Sequence, residues 1–267
     1  MPQPMYNPSA VEGAFQLRYS WTGWPSKGHF PLSTNTAIEQ CKSDWETDGL
    51  RVLEFQIEPA RLQLLFSVTT GISPVFLAGR AKGRLDHAFR SARESFEFSR
   101  KIAVRSVGDA TTAQIDVYIA TQVPREHFVD ERYAGSLAGL QYVNPQVDLS
   151  APTESARGRY WCNLHLVLVT NQRYRFVEVA TLEAMRDACL RVAEKKEHGL
   201  SRVAIMPDHL HLALRSKIDE PPIDVVFAYQ NDLAHMLKLG RIWSDSYYVG
   251  TFGEYGMGAI RQRVDDG

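Results

Sequence analysis

Val203 to Leu214 reads VAIMPDHLHLAL, and Phe55 to Phe66, 148 positions earlier, reads FQIEPARLQLLF. Aligned without a gap, the two stretches share an Ile, a Pro and two Leu. Each consists of two apolar, strand-like runs around a central proline, the pattern of paired strands. A second gapless alignment sets Phe98 to Gln122 against Trp243 to Gly267, 145 positions apart, with a Ser, a Val, a Gly and an Ile in common. Two matches in the same order and at nearly the same offset point to an internal duplication.

The rest of the chain fits that reading. Phe15 to Trp21 and Tyr160 to Thr170 have strand character, and Thr36 to Thr47 and Leu182 to Glu197 have helical periodicity. Leu50 to Ile57 with Leu62 to Val68, and Arg202 to Met206 with Leu210 to Leu214, read as strand pairs. Residues 123–157 carry scattered Gly, Pro and polar side chains, with the run from Ser150 the most linker-like. The expected division is therefore residues 1–122, a connection over 123–157, and residues 158–267.

Composition narrows the function classes. A chain of 267 residues with 44% hydrophobic content supports two ordinary cores. The start, MPQPMYNPSAVEGAF, lacks the charged and apolar regions of a secretory signal, and a cytoplasmic protein is expected. Cys41, Cys162 and Cys189 are odd in number and lack CxxC spacing, so buried thiols are expected instead of a disulfide framework or a zinc knuckle. A formal net charge of -1 argues against nonspecific coating of nucleic acid, which depends on neutralising phosphates. Local basic groups remain, at Arg80, Lys82, Arg84 and Arg90, at Arg100, Lys101 and Arg105, and at Arg157, Arg159, Arg173 and Arg175. Each could equally be a solvated face.

Two constellations carry chemistry. His209 and His211 stand two apart on a strand, so the pleat turns both imidazoles to one face and Leu210 to the other. They read as two ligands to one divalent metal or as structural histidines. Tyr118 and Gln122 stand four apart in a helical pattern that starts at the 106–112 turn, so they share a helix side. This tyrosine reads as a nucleophile with a metal-binding amide beside it, or as a half-buried aromatic.

The Pro-Asp-His-Leu-His run at 207–211, the Trp-Ser-x-Ser-Tyr-Tyr-Val-x-Thr-x-Gly run at 243–253, and the segment ending in Tyr118 and Gln122 together resemble the tyrosine HUH transposases of the TnpA type and their REP-associated relatives. The resemblance spans most of both halves. It implies cleavage and rejoining of single-stranded, hairpin-bearing DNA, with Tyr118 as nucleophile and His209, His211 and Gln122 holding Mg²⁺ or Mn²⁺. It also implies that DNA recognition falls to basic positions such as Arg80, Lys82, Arg84, Arg90, Arg173 and Arg175.

The departures from the family pattern are specific. Arg61 and Gln63 stand where the second copy has His209 and His211, and Arg263 and Gly267 stand where the first has Tyr118 and Gln122. Family dimers can exchange the tyrosine helix, and exchange within this chain would leave one complete composite site. The expected fold is α+β: two ferredoxin-like domains, each an antiparallel sheet with packed helices, forming an intramolecular pseudo-twofold dimer that can itself self-associate. Two other functions remain open at this stage, a noncatalytic DNA-hairpin-binding regulator and a metal-dependent phosphodiesterase that needs no tyrosine.

Overall fold

The computed structural model describes residues 4–255. Arg263 and Gly267 lie outside the described residues. The chain starts with strand β1 (Glu12–Gln16), bends at the buried Leu17, and continues as β2 (Arg18–Pro25). Helix α1 (Thr34–Thr47), strands β3 (Leu50–Glu58) and β4 (Arg61–Val68), helix α2 (Pro74–Ser91) and strand β5 (Phe98–Val107) follow. Three helices, α3 (Thr112–Ala120), α4 (Gln122–Arg125) and α5 (Glu131–Leu140), and two short strands, β6 (Tyr142–Val143) and β7 (Thr153–Ser155), lead to the second copy.

That copy begins with β8 (Gly158–Trp161), bends at the buried Cys162, and continues as β9 (Asn163–Thr170). It runs on through α6 (Val179–Lys196), β10 (Gly199–Ile205), β11 (His209–Arg215), α7 (Pro222–Leu237) and β12 (Trp243–Thr251). The two sheets run β3-β4-β2-β5-β8-β7 and β1-β12-β9-β11-β10-β6. Within each, the four strands of one copy are all antiparallel, with the first strand of the β-α-β-β-α-β unit between the third and the fourth. This is the ferredoxin-like α+β arrangement, present twice.

Alternation along the strands decides which face each helix layer covers. Trp21, Leu62, Leu64 and Phe66 of the first sheet pack with Leu77, Leu85 and Trp45 from α1 and α2. Leu164, Leu166, Leu168, Leu210, Leu212 and Leu214 of the second sheet pack with Leu182, Met185, Val226 and Leu233 from α6 and α7. The opposite sheet faces carry the alternate residues, among them Gln63 in the first copy and His211 in the second. The expected connection is itself built into the fold: β6 pairs with β10, and β7 pairs with β8.

The two copies are joined by reciprocal strand exchange. The leading strand β1 pairs in parallel with β12 of the other copy, and β8 pairs in parallel with β5. At the crossing, the Ser106 hydroxyl accepts from the Asn163 amide at 3.1 Å and donates to the Phe252 carbonyl at 2.6 Å. The Thr251 hydroxyl accepts from the Arg18 amide at 2.8 Å and donates to the Val107 carbonyl at 2.6 Å. Every member of the second set lies 145 positions from its counterpart in the first, so the seam follows the duplication.

Two glycines let the backbones approach this closely. A Cβ on Gly108 would overlap the Thr251 carbonyl oxygen, and one on Gly253 would overlap the Ser106 carbonyl oxygen. Gly71 has open space where its side chain would go. Gly108→Ala is expected to destabilise the protein by about 1–3 kcal/mol, because a backbone oxygen has nowhere to retreat. Gly71→Ala is expected to stay within about 0.5 kcal/mol. Urea unfolding of the two variants checks this, and equal midpoints would show that the crossing is not tight.

Candidate active site

Helix α3 starts where β5 ends, just beyond the crossing. A capping box fixes its first turn: the Thr111 hydroxyl accepts from the Gln114 amide and the Gln114 side chain accepts from the Thr111 amide. The Thr112 amide donates to the Gly253 carbonyl at 2.7 Å, tying the same turn to the end of the other copy's last strand. From there α3 lies on the free face of the second sheet. Ile115 and Ile119 bury against Ala204 of β10, Ala213 of β11, Leu149 and Phe252. The small alanines form the floor on which the helix rests. An ion pair from Asp116 to Arg202 of β10 flanks this contact.

This docking brings Tyr118 of the first copy to the histidines of the second. The Tyr118 ring centroid lies 5.4 Å from that of His211 and 5.8 Å from that of His165, edge-on to both. Tyr118 is 38% exposed, so its ring is walled on the histidine side and open on the other. His209 and His211 share a face of β11, as the pleat requires, with ring centroids 5.0 Å apart, and Leu210 is buried on the other. Gln122 lies beyond a break at Thr121 that ends α3 and starts α4. Its side-chain amide donates to the Tyr118 carbonyl at 2.9 Å, so the four-residue spacing fixes the amide against the end of the tyrosine helix.

His165, on β9, belongs to the same cluster and was not singled out by sequence. Its Nε2 stands 3.1 Å from His211 Nδ1, with the two rings stacked. Burial pushes the His165 imidazole down to about 4. Burial, His165 and His209 together push His211 down to about 2, so both rings are neutral at physiological pH. The available signal was alternation: His165 stands on the face of β9 opposite Leu164, Leu166 and Leu168, an odd place for a histidine without a partner. Tyr248 of β12 closes the cluster, 5.8 Å from His165 between ring centroids.

The donor set suits a divalent cation in part. His209 Nδ1 donates to the Asp208 carboxylate at 2.7 Å, which fixes the tautomer and leaves Nε2 as a lone pair. His211 Nε2 is buried with no hydrogen-bond partner. Two imidazole nitrogens are thus held free of protein partners near the Tyr118 ring. Burial raises the Asp208 carboxyl, but hydrogen bonds and charge from His209 and Arg173 outweigh it and hold the group below the usual carboxylate range. Among the described residues no group of three or more His, Cys, Asp or Glu is arranged to hold a metal.

The basic positions fall into two sets. Arg173 reaches Asp208 at 3.3 Å and so lies beside the histidine motif, with Arg175 on the same loop. The residues of α2 belong to the helix layer of the first copy, on the sheet face away from its Gln63. There Arg84 pairs with Asp44 and Asp48, Arg80 with Asp48, Lys82 donates to the Ser99 carbonyl, and Arg90 donates to the Asp86 carbonyl. The structure does not bring these four to Tyr118.

The corresponding face of the first sheet makes the contrast plain. Arg61, Gln63 and Ser20 occupy the positions of His209, His211 and His165, and Gln63 donates to Ser20 at 2.8 Å where the two imidazoles meet in the other copy. They line an open cleft of about 830 Å³ with Arg105 and Trp161, the guanidinium lying 3.5 Å from the indole centroid. No group in that set of three can hold a transition metal by an imidazole.

Comparison with known proteins gives a family match in the second copy. The family model described as "Transposase IS200 like" matches residues 159–266, which include the histidine strand. The crystal structure of a candidate transposase from Deinococcus radiodurans R1 is similar over 43% of this chain and 97% of that one, at 23% identity and a TM-score of 0.35. A REP-associated tyrosine transposase solved with a REP hairpin is similar over 39% of this chain and 62% of that one, at 13% identity and a TM-score of 0.31. Comparison with curated proteins gives no match.

The docking of α3 yields a test by magnitude. Truncating a buried Ile costs about 2–5 kcal/mol, whereas a partly exposed ion pair contributes up to about 1 kcal/mol. Ile119→Ala is therefore expected to speed amide exchange along α3 by more than about tenfold, and Asp116→Asn by less than about fivefold. The reverse order would mean that charge, not burial, holds the helix.

The neutral His165 yields a second. Its pKa is lower folded than unfolded, so between about 6.5 and 4 the unfolded chain binds the extra proton and stability falls as pH falls. His165→Ser, which copies the serine of the other copy, is expected to remove on the order of 2–3 kcal/mol of that loss. Urea unfolding in EDTA across this range measures it, and parallel pH profiles for the two proteins would reject the assignment.

Proposed function

We propose that this chain, whose residues 159–266 match the family model described as "Transposase IS200 like", cleaves and rejoins single-stranded DNA at one composite site. The observation that carries the proposal is the contact of Tyr118, on a helix of the first copy, with His211 of the second, 5.4 Å between ring centroids. Neither copy alone has both groups.

The reaction is a transesterification. The Tyr118 oxygen attacks phosphorus, the bond to the 3′ oxygen breaks, and the products are a 5′-phosphotyrosine and a free 3′ hydroxyl. That hydroxyl, or one from another strand, reverses the step, so cutting and joining need no external energy. A tyrosine phenol is almost wholly protonated at neutral pH and needs activation. His209, His211 and Gln122 would hold Mg²⁺ or Mn²⁺, whose chemistry is to withdraw charge from a phosphate oxygen. A set of two imidazoles and an amide favours the softer Mn²⁺.

The protein's own contributions follow from their surroundings. The Asp208 carboxylate orients His209. The capping box, Ile115 and Ile119 hold the tyrosine helix so that little motion separates nucleophile and histidines. In this reading a DNA strand enters beside the partly exposed Tyr118, and Arg173, paired with Asp208, and Arg175 on the same loop contact its phosphates. A hairpin-bearing strand is the proposed substrate, because its unpaired flank offers both a reachable phosphate and exposed bases.

Incubation with labelled, hairpin-bearing single-stranded DNA and Mn²⁺ tests the proposal. A denaturation-resistant adduct is expected with the native protein, and it is expected to disappear in Tyr118→Phe and in His209→Ala. Binding to hairpins with no adduct in any case would replace cleavage by a noncatalytic, hairpin-binding function.

A further inference from the structure

The short helix α4 carries a second charged group to the nucleophile. Arg125 stands at its end, with its guanidinium carbon 5.3 Å from the centroid of the Tyr118 ring. The corner between α3 and α4 is held by the Gln122 side chain on the Tyr118 carbonyl, and by the Arg125 amide on the Thr121 carbonyl. The position of Arg125 relative to Tyr118 is therefore set by backbone, not by chance contact of two surface side chains.

Three other arginines near the site are committed. Arg202 pairs with Asp116, Arg173 with Asp208, and Arg18 with Asp109. Arg125 is exposed, and among the described residues its contact is the tyrosine ring rather than a carboxylate. An exposed cation–π contact is weaker than the rotamer entropy that an arginine side chain carries. The contact thus leaves the guanidinium free to turn toward a stronger partner on the open side of the ring.

The phosphate that Tyr118 would attack is such a partner. In the attack the P–O bond to tyrosine forms as the P–O3′ bond breaks, and the phenolic proton is balanced by protonation of the departing 3′ oxygen. Negative charge builds on the two non-bridging oxygens in between. A planar guanidinium can hydrogen-bond to such oxygens in a fork, which a point charge cannot.

We infer that Arg125 is a catalytic residue of the composite site, pairing with a non-bridging oxygen of the phosphate under attack. The inference rests on the strand-cleavage reading given above. It adds a protein-borne cation to a site whose other parts are a phenol, three imidazoles and an amide.

The test compares two oligonucleotides of the same sequence, one with the ordinary phosphodiester at the linkage where the native protein forms its adduct, the other with an uncharged methylphosphonate there. Arg125→Ala is expected to slow single-turnover adduct formation on the phosphodiester by about 100-fold. Its affinity for the same strand should change by less than about threefold, and its defect on the methylphosphonate should shrink to a few-fold. Arg125→Lys should recover part of the rate. Equal slowing on both oligonucleotides would assign Arg125 a structural role and overturn the inference, as would no slowing on either. No adduct from the native protein on any strand would instead remove the cleavage reading, and Arg125's role with it.

Discussion

The structure depends on a crossing of two backbones, at which Ser106 and Thr251 each join three segments through one hydroxyl. A hydroxyl is suited to this because it donates once and accepts at the same time. Here both capacities are used on backbone groups, which would otherwise be buried without partners. The flanking Gly108 and Gly253 have no side chain to hold the chains apart. Because the crossing lies where β5 ends, it determines where the next element lands. The chain emerges on the far side of the seam, and α3 therefore covers the sheet of the other copy.

Much of this arrangement was legible in the sequence. The duplication was visible because the paired strands of each copy must keep the same alternation around the same proline. The common face of His209 and His211 followed from the pleat, whereas the single helix read through Tyr118 and Gln122 breaks at Thr121, where Gln122 begins α4. Other features had no local signature. Residues 123–157 are polar and carry turn residues, yet Tyr142 and Val143 add an edge strand to β10 and Thr153 to Ser155 add one to β8, because unpaired sheet edges accept short strands of almost any composition. Arg80 and Arg84 of α2 are spent on Asp44 of α1 and Asp48 just beyond it, acidic partners that lie more than 30 positions away and that a local charge count cannot pair. His165 became a site residue only when β9 was set beside β11.

The two free sheet faces separate structural from chemical demand. In one copy a histidine on the central strand meets a histidine on its neighbour, 3.1 Å apart; in the other a serine meets a glutamine at 2.8 Å. Both solve the same problem, a polar side chain on a sheet surface that needs a partner. Only the imidazole pair leaves a second nitrogen on each ring for other work. Gln63 and Ser20 thus keep the sheet satisfied without the capacity to bind a transition metal, and the fold tolerates loss of one chemistry with no loss of the hydrogen bond.

The meeting of Tyr118 with the histidines follows from this architecture. Had α3 folded back on its own sheet, Tyr118 would face Gln63 and Ser20, and the histidines would face no tyrosine. Exchange across the seam brings Tyr118 of one copy and the histidines of the other into one set. The cost is that the set exists only while the crossing holds, since the capping turn of α3 is itself bonded to Gly253 of the other copy. Loosening the seam would therefore move Tyr118, Gln122 and Arg125 together, as one body, away from His209, His211 and His165. Tyr118 and the histidines are coupled through the backbone as well as through their contact, and separating the copies would part them without altering any residue.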